Sequence, residues 1–161
     1  MRWFQVRAGV LLPLLLGAGC AWLGDERAIR ARLGDLAGTI NARASEGLGS
    51  VTRAAEISAF FTDDVVVELG EGSAPIQGRE TLIGMAMRLQ PRLSEFTVAF
   101  ADVTVRVAED GQSADVSLTA EFIRKDPGHR QSMDAREFKL TMRRDDGEWK
   151  IARMTAVDTL K

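Results

Sequence analysis

The second half of the chain alternates apolar and polar residues with a period of two, and this limits the fold more than any other feature. Val116, Leu118, Ala120 and Phe122 alternate with Asp115, Ser117, Thr119 and Glu121. Phe138, Leu140 and Met142 alternate with Lys139, Thr141 and Arg143, and Trp149 and Ile151 open a further run. Successive side chains on a strand point to opposite faces, so such runs specify strands with one buried and one solvated face. Asp110-Gly111, Pro127-Gly128 and Asp146-Gly147 fall between the runs as turn signals, which predicts an antiparallel meander. One run changes parity: Phe96, Val98 and Phe100 share one face, and Val103, Val105 and Val107 the other. A bulge or sharp bend near Ala101-Asp102 is therefore required, and a sheet bent there can curl around a helix.

Helical spacing dominates the first half. Asp25 and Glu26 are placed to open a helix that carries Ile29, Leu33, Leu36, Ala37 and Ile40 on one face and ends at the Gly47–Ser50 break. A second helix, from about Thr52, groups Ile57, Phe60 and Phe61, and Asp63-Asp64 leads into the β-branched run Val65-Val66-Val67. After a loop from Gly70 to Gly78, a third helix from about Arg79 aligns Leu82, Met85, Ala86 and Leu89, with Pro91 as its stop. The class expected is α+β, a curved antiparallel sheet wrapped around N-terminal helices.

The first nineteen residues have another purpose. Arg2 and Arg7 form a positive start, Val10 to Leu16 an apolar stretch, and Gly17-Ala18-Gly19 a run of small residues before Cys20. This is the pattern of a cleaved export signal. It resembles a bacterial lipobox, with Gly17 where the pattern has leucine. The resemblance implies that Cys20, the sole cysteine, becomes the acylated N-terminus. Each buried methylene adds about 0.8 kcal/mol of membrane affinity, so two or three acyl chains would hold the protein essentially permanently. The organisation expected is a signal over 1–19, a short tether over 20–24 and one α+β domain over 25–161. Ala21 after the cysteine, by analogy with enteric lipoproteins, points to the outer membrane facing the periplasm.

Without Arg2 and Arg7, 19 basic residues stand against 23 acidic, a formal charge of −4. No basic face for nucleic acid is expected. His129 is the only histidine, so His/Cys metal clusters are excluded, and no loop motif for a carboxylate metal site or a phosphate occurs; no cofactor or metal is expected.

Phe61-Thr-Asp-Asp-Val-Val-Val-Glu68, then Pro75-Ile-Gln-Gly-Arg-Glu80, resembles the core signature of the nuclear transport factor 2-like superfamily, whose cone-shaped domains include SnoaL-like polyketide cyclases and ketosteroid isomerases. The segment Arg143 to Ile151 resembles the family's final hairpin. In the isomerases an aspartate base follows the valine strand, with a tyrosine and a second carboxylic acid as oxyanion donors. Carried over, the base position falls at Leu69 and the second acid at about Leu140, and the chain has no tyrosine. If the register is displaced by one residue, Glu68 is the surviving base.

Other residues remain open to a structural and a functional reading. Asp134 and Arg136 share parity with Phe138, and Arg153 shares parity with Trp149, so all three are candidates to face inward and select a ligand's polar group. His129 sits in a polar turn. Two classes of function emerge: a non-catalytic, membrane-anchored domain that binds a small apolar ligand or docks a partner, and a cyclase- or isomerase-like enzyme. By analogy with cone-shaped relatives, a homodimer through the sheet face is a further expectation.

Overall fold

The computed structural model describes residues 18–42, 49–70, 72–93, 96–124 and 133–157. Three helices precede most of the sheet: α1 (Ala18–Asn41), α2 (Gly49–Ser58) and α3 (Arg79–Leu93). The strands are β1 (Phe61–Glu68), β2 (Ile76–Gln77), β3 (Phe96–Val107), β4 (Ser113–Arg124), β5 (Met133–Asp145) and β6 (Glu148–Ala156). They form one sheet in the order β2-β1-β6-β5-β4-β3, curved over the helices and unclosed. Among the described residues no helix is long and apolar enough to cross a membrane.

The meander from β3 to β6 is antiparallel throughout, and β5 and β6 join through Asp146-Gly147. Both turn residues have positive φ, 51° and 82°, the backbone that a two-residue hairpin loop needs to match strand twist. The sheet as a whole is mixed rather than antiparallel, because β1 pairs with β6 in parallel. Its chain enters from α2 at the same end as the β5–β6 turn, so it must run alongside β6 in the same direction. The loop expected from Gly70 to Gly78 contains β2, which pairs with Val66 and Val67.

The expected bend in β3 is present. Ala101 pairs with Thr119 and Thr104 with Ser117, which leaves one extra residue on β3, and Asp102 takes a φ of 51°. A second bulge lies in β6. Thr141 pairs with Arg153 while Met142 pairs with Ile151, so Ala152 is the extra residue. Each bulge reverses the parity of the residues beyond it and sharpens the local twist, and together they curl the sheet.

One face of that sheet is the core. Val65 and Val67, Val116 and Leu118, Phe138, Leu140 and Met142, and Trp149 and Ile151 are buried with Ile29, Leu33 and Leu36 of α1. Charged anchors fix the helix along the sheet. Asp25 accepts from Arg144, Arg30 donates to the carbonyl of Val103 at 2.7 Å, and the Asn41 amide exchanges two 2.7 Å hydrogen bonds with the backbone of Val98. The guanidinium groups of Arg32 and Arg144 also stack over Phe60 and Trp149, at 4.3 and 4.8 Å from the ring centroids. Such stacking contributes roughly 0.5–2 kcal/mol, less than the burial of either ring.

Two helix ends differ from expectation. α1 starts at Ala18, so residues 20–24 are helical rather than a separate tether, and Asp25 and Glu26 lie beyond the first turn. Alanines around Cys20 favour helix, and Gly24 alone costs too little to end it. α3 runs two residues past Pro91; a proline in the last turn removes one donor without forcing an earlier end. The Pro127-Gly128 turn and His129 lie outside the described residues, as do residues 1–17.

Phe60, Phe61 and Phe138 are at most 8% exposed, whereas Phe122, expected in the core, is only half-buried. Truncation of each of the first three to alanine should therefore cost about 3–5 kcal/mol, and Phe122→Ala distinctly less. Urea unfolding midpoints of the four variants check this ranking.

Candidate functional site

The inner face of the sheet is not packed evenly. Near the β5–β6 turn Met142 and Ile151 are each 1% exposed, while Val103, Val105 and Val107 of the edge strand β3 are half-buried. Toward the opposite end, where β1 and β6 finish and β3 and β5 begin, Phe100, Phe122 and Met154 are only half-buried, as are Ile57, Leu82 and Met85 from the helices. No described side chain of α3 is fully buried. This end is the mouth of the cone, where the described apolar side chains are only partly covered by other described residues.

Leu69, immediately after β1, belongs to this rim. Val65 and Val67 face inward, so Leu69 continues their parity, and it remains 36% exposed. It is the residue to which the resemblance carries the isomerase base. Leu140, to which it carries the second acid, is buried at 3% on the inner face of β5. Neither side chain can move a proton. Among the described residues the buried polar or charged side chains are Ser58 and Thr62.

Asp134 and Arg136 are where parity puts them, across from Phe122 and Ala120, at the outer limit of the inner face. Both are exposed. Arg136 reaches past the end of β6 and donates from Nη1 to the carbonyl of Leu69 at 3.3 Å, so its guanidinium spans the rim between β5 and β1. A long bond at one nitrogen leaves other donors of the planar fork to meet a carboxylate or hydroxyl.

Arg153 and Glu68 are not part of this rim. The bulge at Ala152 reverses parity, so Met154 and Ala156 turn inward beside Leu140 and Phe138, and Arg153 joins Thr141 on the outer face. The signal was in the sequence: Met154 and Ala156 are apolar at the parity opposite to Trp149 and Ile151. Glu68 is also on the outer face, level with Thr155. Its Oε1 accepts from Arg153 Nη1 at 2.9 Å and its Oε2 from the Thr155 hydroxyl at 3.0 Å. A base serving the cone interior needs the other face, so the structure does not bring Glu68 to the candidate site.

The outer face is polar. A depression of about 240 Å³ lies at the β3 bulge, lined by Asp102, Ser117, Thr119, Glu137 and Lys139 among others. Among the described residues there is no group of three or more His, Cys, Asp or Glu placed to hold a metal ion.

Residues 50–155 match the SnoaL-like domain, and the chain belongs to that family. Comparison with curated protein sequences returns no match. A nuclear transport factor 2-like protein from Novosphingobium aromaticivorans is similar in structure, with a TM-score of 0.69 and 18% identity over 88% of this chain and 86% of that one. A candidate scytalone dehydratase from the same organism gives 0.67 and 18% identity, over 88% and 89%. A protein of unknown function from Mycobacterium tuberculosis gives 0.72 and 18% identity, over 91% and 79%. The fold is thus the nuclear transport factor 2-like cone.

One outer-face carboxyl is electrostatically distinct. Asp64 is held below its ordinary value of 3.8, first by the Thr62 side chain and then by the Arg143 guanidinium at 2.7 Å. A lowered folded-state pKa stabilises the fold above the unfolded value, and that contribution is lost as pH falls through the folded one. Asp64→Asn should therefore flatten the loss of stability below about pH 4, and leave the neutral-pH midpoint little changed because the pair is exposed. Unfolding midpoints measured from pH 6 down to 2 check this.

Proposed function

We propose that the protein is a lipid-anchored envelope lipoprotein whose cone binds a small, largely apolar ligand without converting it. The half-buried apolar mouth is the observation that carries this reading: Leu69, Phe100, Phe122, Met85 and Met154 offer surface for a ligand, and Arg136 with Asp134 offers polar selection at the rim. Leucines at the two carboxylate positions, and the lack of tyrosine in the chain, support binding over acid–base catalysis, which requires a titratable group aimed at the reacting atoms. The similar structures include a protein named for an enzyme, the candidate dehydratase above, so an enzymatic role is the competing reading. Glu68, its base, is turned to the opposite face and occupied by Arg153 and Thr155.

The anchor in this proposal is acylated Cys20, and the domain stands on the periplasmic side of the outer membrane. A second copy would pair through the outer sheet face, whose depression presents the hydroxyls and charges of Ser117, Thr119, Glu137 and Lys139 beside the apolar Val157.

Two experiments test the proposal. Cys20→Ser should move the protein from the membrane to the soluble fraction, and an intact mass showing unmodified wild-type cysteine contradicts the anchor. For the cone, 1-naphthoate and naphthalene serve as matched probes in fluorescence titrations of the soluble domain. Arg136→Ala should weaken naphthoate binding by roughly 10-fold, the loss of about one charge-assisted hydrogen bond, and leave naphthalene unchanged. Turnover of 5-ene-3-ketosteroids by wild type that is lost on Glu68→Gln would make the protein an enzyme instead.

A further inference from the structure

Resting on the reading that Cys20 is lipid-modified, the fold also determines how the domain stands on its membrane. α1 is continuous from Ala18 to Asn41, so the anchor is joined to the domain by helix and not by a flexible linker. Asp25, which is bound to Arg144 of β5, comes five residues after Cys20, a rise of about 7.5 Å. The β3–β4 and β5–β6 turns lie at this same end: a side chain at Gly111 would approach the Asp25 carboxylate to 3.9 Å, and Arg144 is the second residue before the Asp146-Gly147 turn. The other end of α1 is bound through Asn41 to Val98, which pairs with Phe122, itself level with Asp134. The mouth is therefore at the far end of the helix, about 30 Å from Cys20.

We infer that the anchored domain meets the lipid surface by its turn end, with Leu23 as the apolar contact, and that the mouth opens into water away from the bilayer. Leu23 is 65% exposed, and its position three residues after Cys20 is on the same side of the helix. The described residues leave most of its side chain uncovered, and a lipid surface would cover it. The consequence for function is that ligand enters from the aqueous compartment or from a soluble donor, and is not drawn sideways out of the membrane.

A lipid-modified Cys20 has no free thiol, so one introduced cysteine carries the only label. The full-length protein, processed in cells and reconstituted into phosphatidylethanolamine–phosphatidylglycerol vesicles, is labelled at Glu109→Cys or at Ser73→Cys. Ser73 comes after β1 at the mouth end and is exposed. With a headgroup spin-labelled lipid as quencher, the label at 109 should lose most of its fluorescence and the label at 73 little. Leu23→Asp should reduce the loss at 109. Equal quenching at the two positions, or stronger quenching at 73, overturns the orientation while leaving the anchor intact. Reaction of reconstituted wild type with a thiol reagent overturns the anchor, and the orientation with it.

Discussion

Two single-residue bulges set the shape on which everything else in this domain depends. A regular strand keeps one parity toward the core, and a flat sheet with regular strands could cover only one side of α1. The extra residue at Asp102 in β3, and the extra Ala152 in β6, each swap the parity and twist the strand. Val105 and Val107 can then face the same core as Val98 and Phe100, and Met154 and Ala156 the same core as Trp149 and Ile151. Asp102 is held at positive φ, which a non-glycine residue adopts at a cost, and the apolar burial on both sides of the bulge offsets it.

The curl sorts the inner face into two regions. Near the β5–β6 turn, α1 supplies Ile29, Leu33 and Leu36 to close the core, and the stacked Arg32 and Arg144 cover Phe60 and Trp149. At the other end, α3 caps the sheet without fully burying any of its own described side chains, and apolar residues of α2, α3, β3, β4 and β6 stay half-buried. The exposed ion pairs of the outer face, Glu68 with Arg153 and Asp64 with Arg143, are each worth about 1 kcal/mol or less and do not decide the fold. What they decide is where charge is not: both carboxylates are committed to the outer face.

The family's shared architecture leaves the chemistry of the cone to the residues inside it. A cone with carboxyl groups inside can move protons. One with Leu69 at its rim and Leu140 in its wall has apolar surface in the same places. Because α1 is continuous from Ala18 to Asn41, its N-terminal end and the mouth are separated by the length of the helix.

Much of this could be read from the residues. Period-two alternation in β4 and β5 gave their faces directly, since burial on one side of a sheet leaves no other register. Asp-Gly at 146–147 located the hairpin because so few sequences accept two successive positive φ values. The parity switch among the valines of β3 announced its bulge. The equivalent switch in β6 was as visible, but Arg153 stood at the parity of Trp149 and Ile151 and concealed it. The parallel pairing of β1 with β6, the reach of Arg136 to the Leu69 carbonyl and the outward turn of Glu68 were settled only in three dimensions. They depend on which strands become neighbours across the whole chain, and local periodicity carries no information about that. Sequence determined what each strand buries; the tertiary structure decided which groups meet at the mouth, because that depends on long-range pairing and on one unpaired residue in β6.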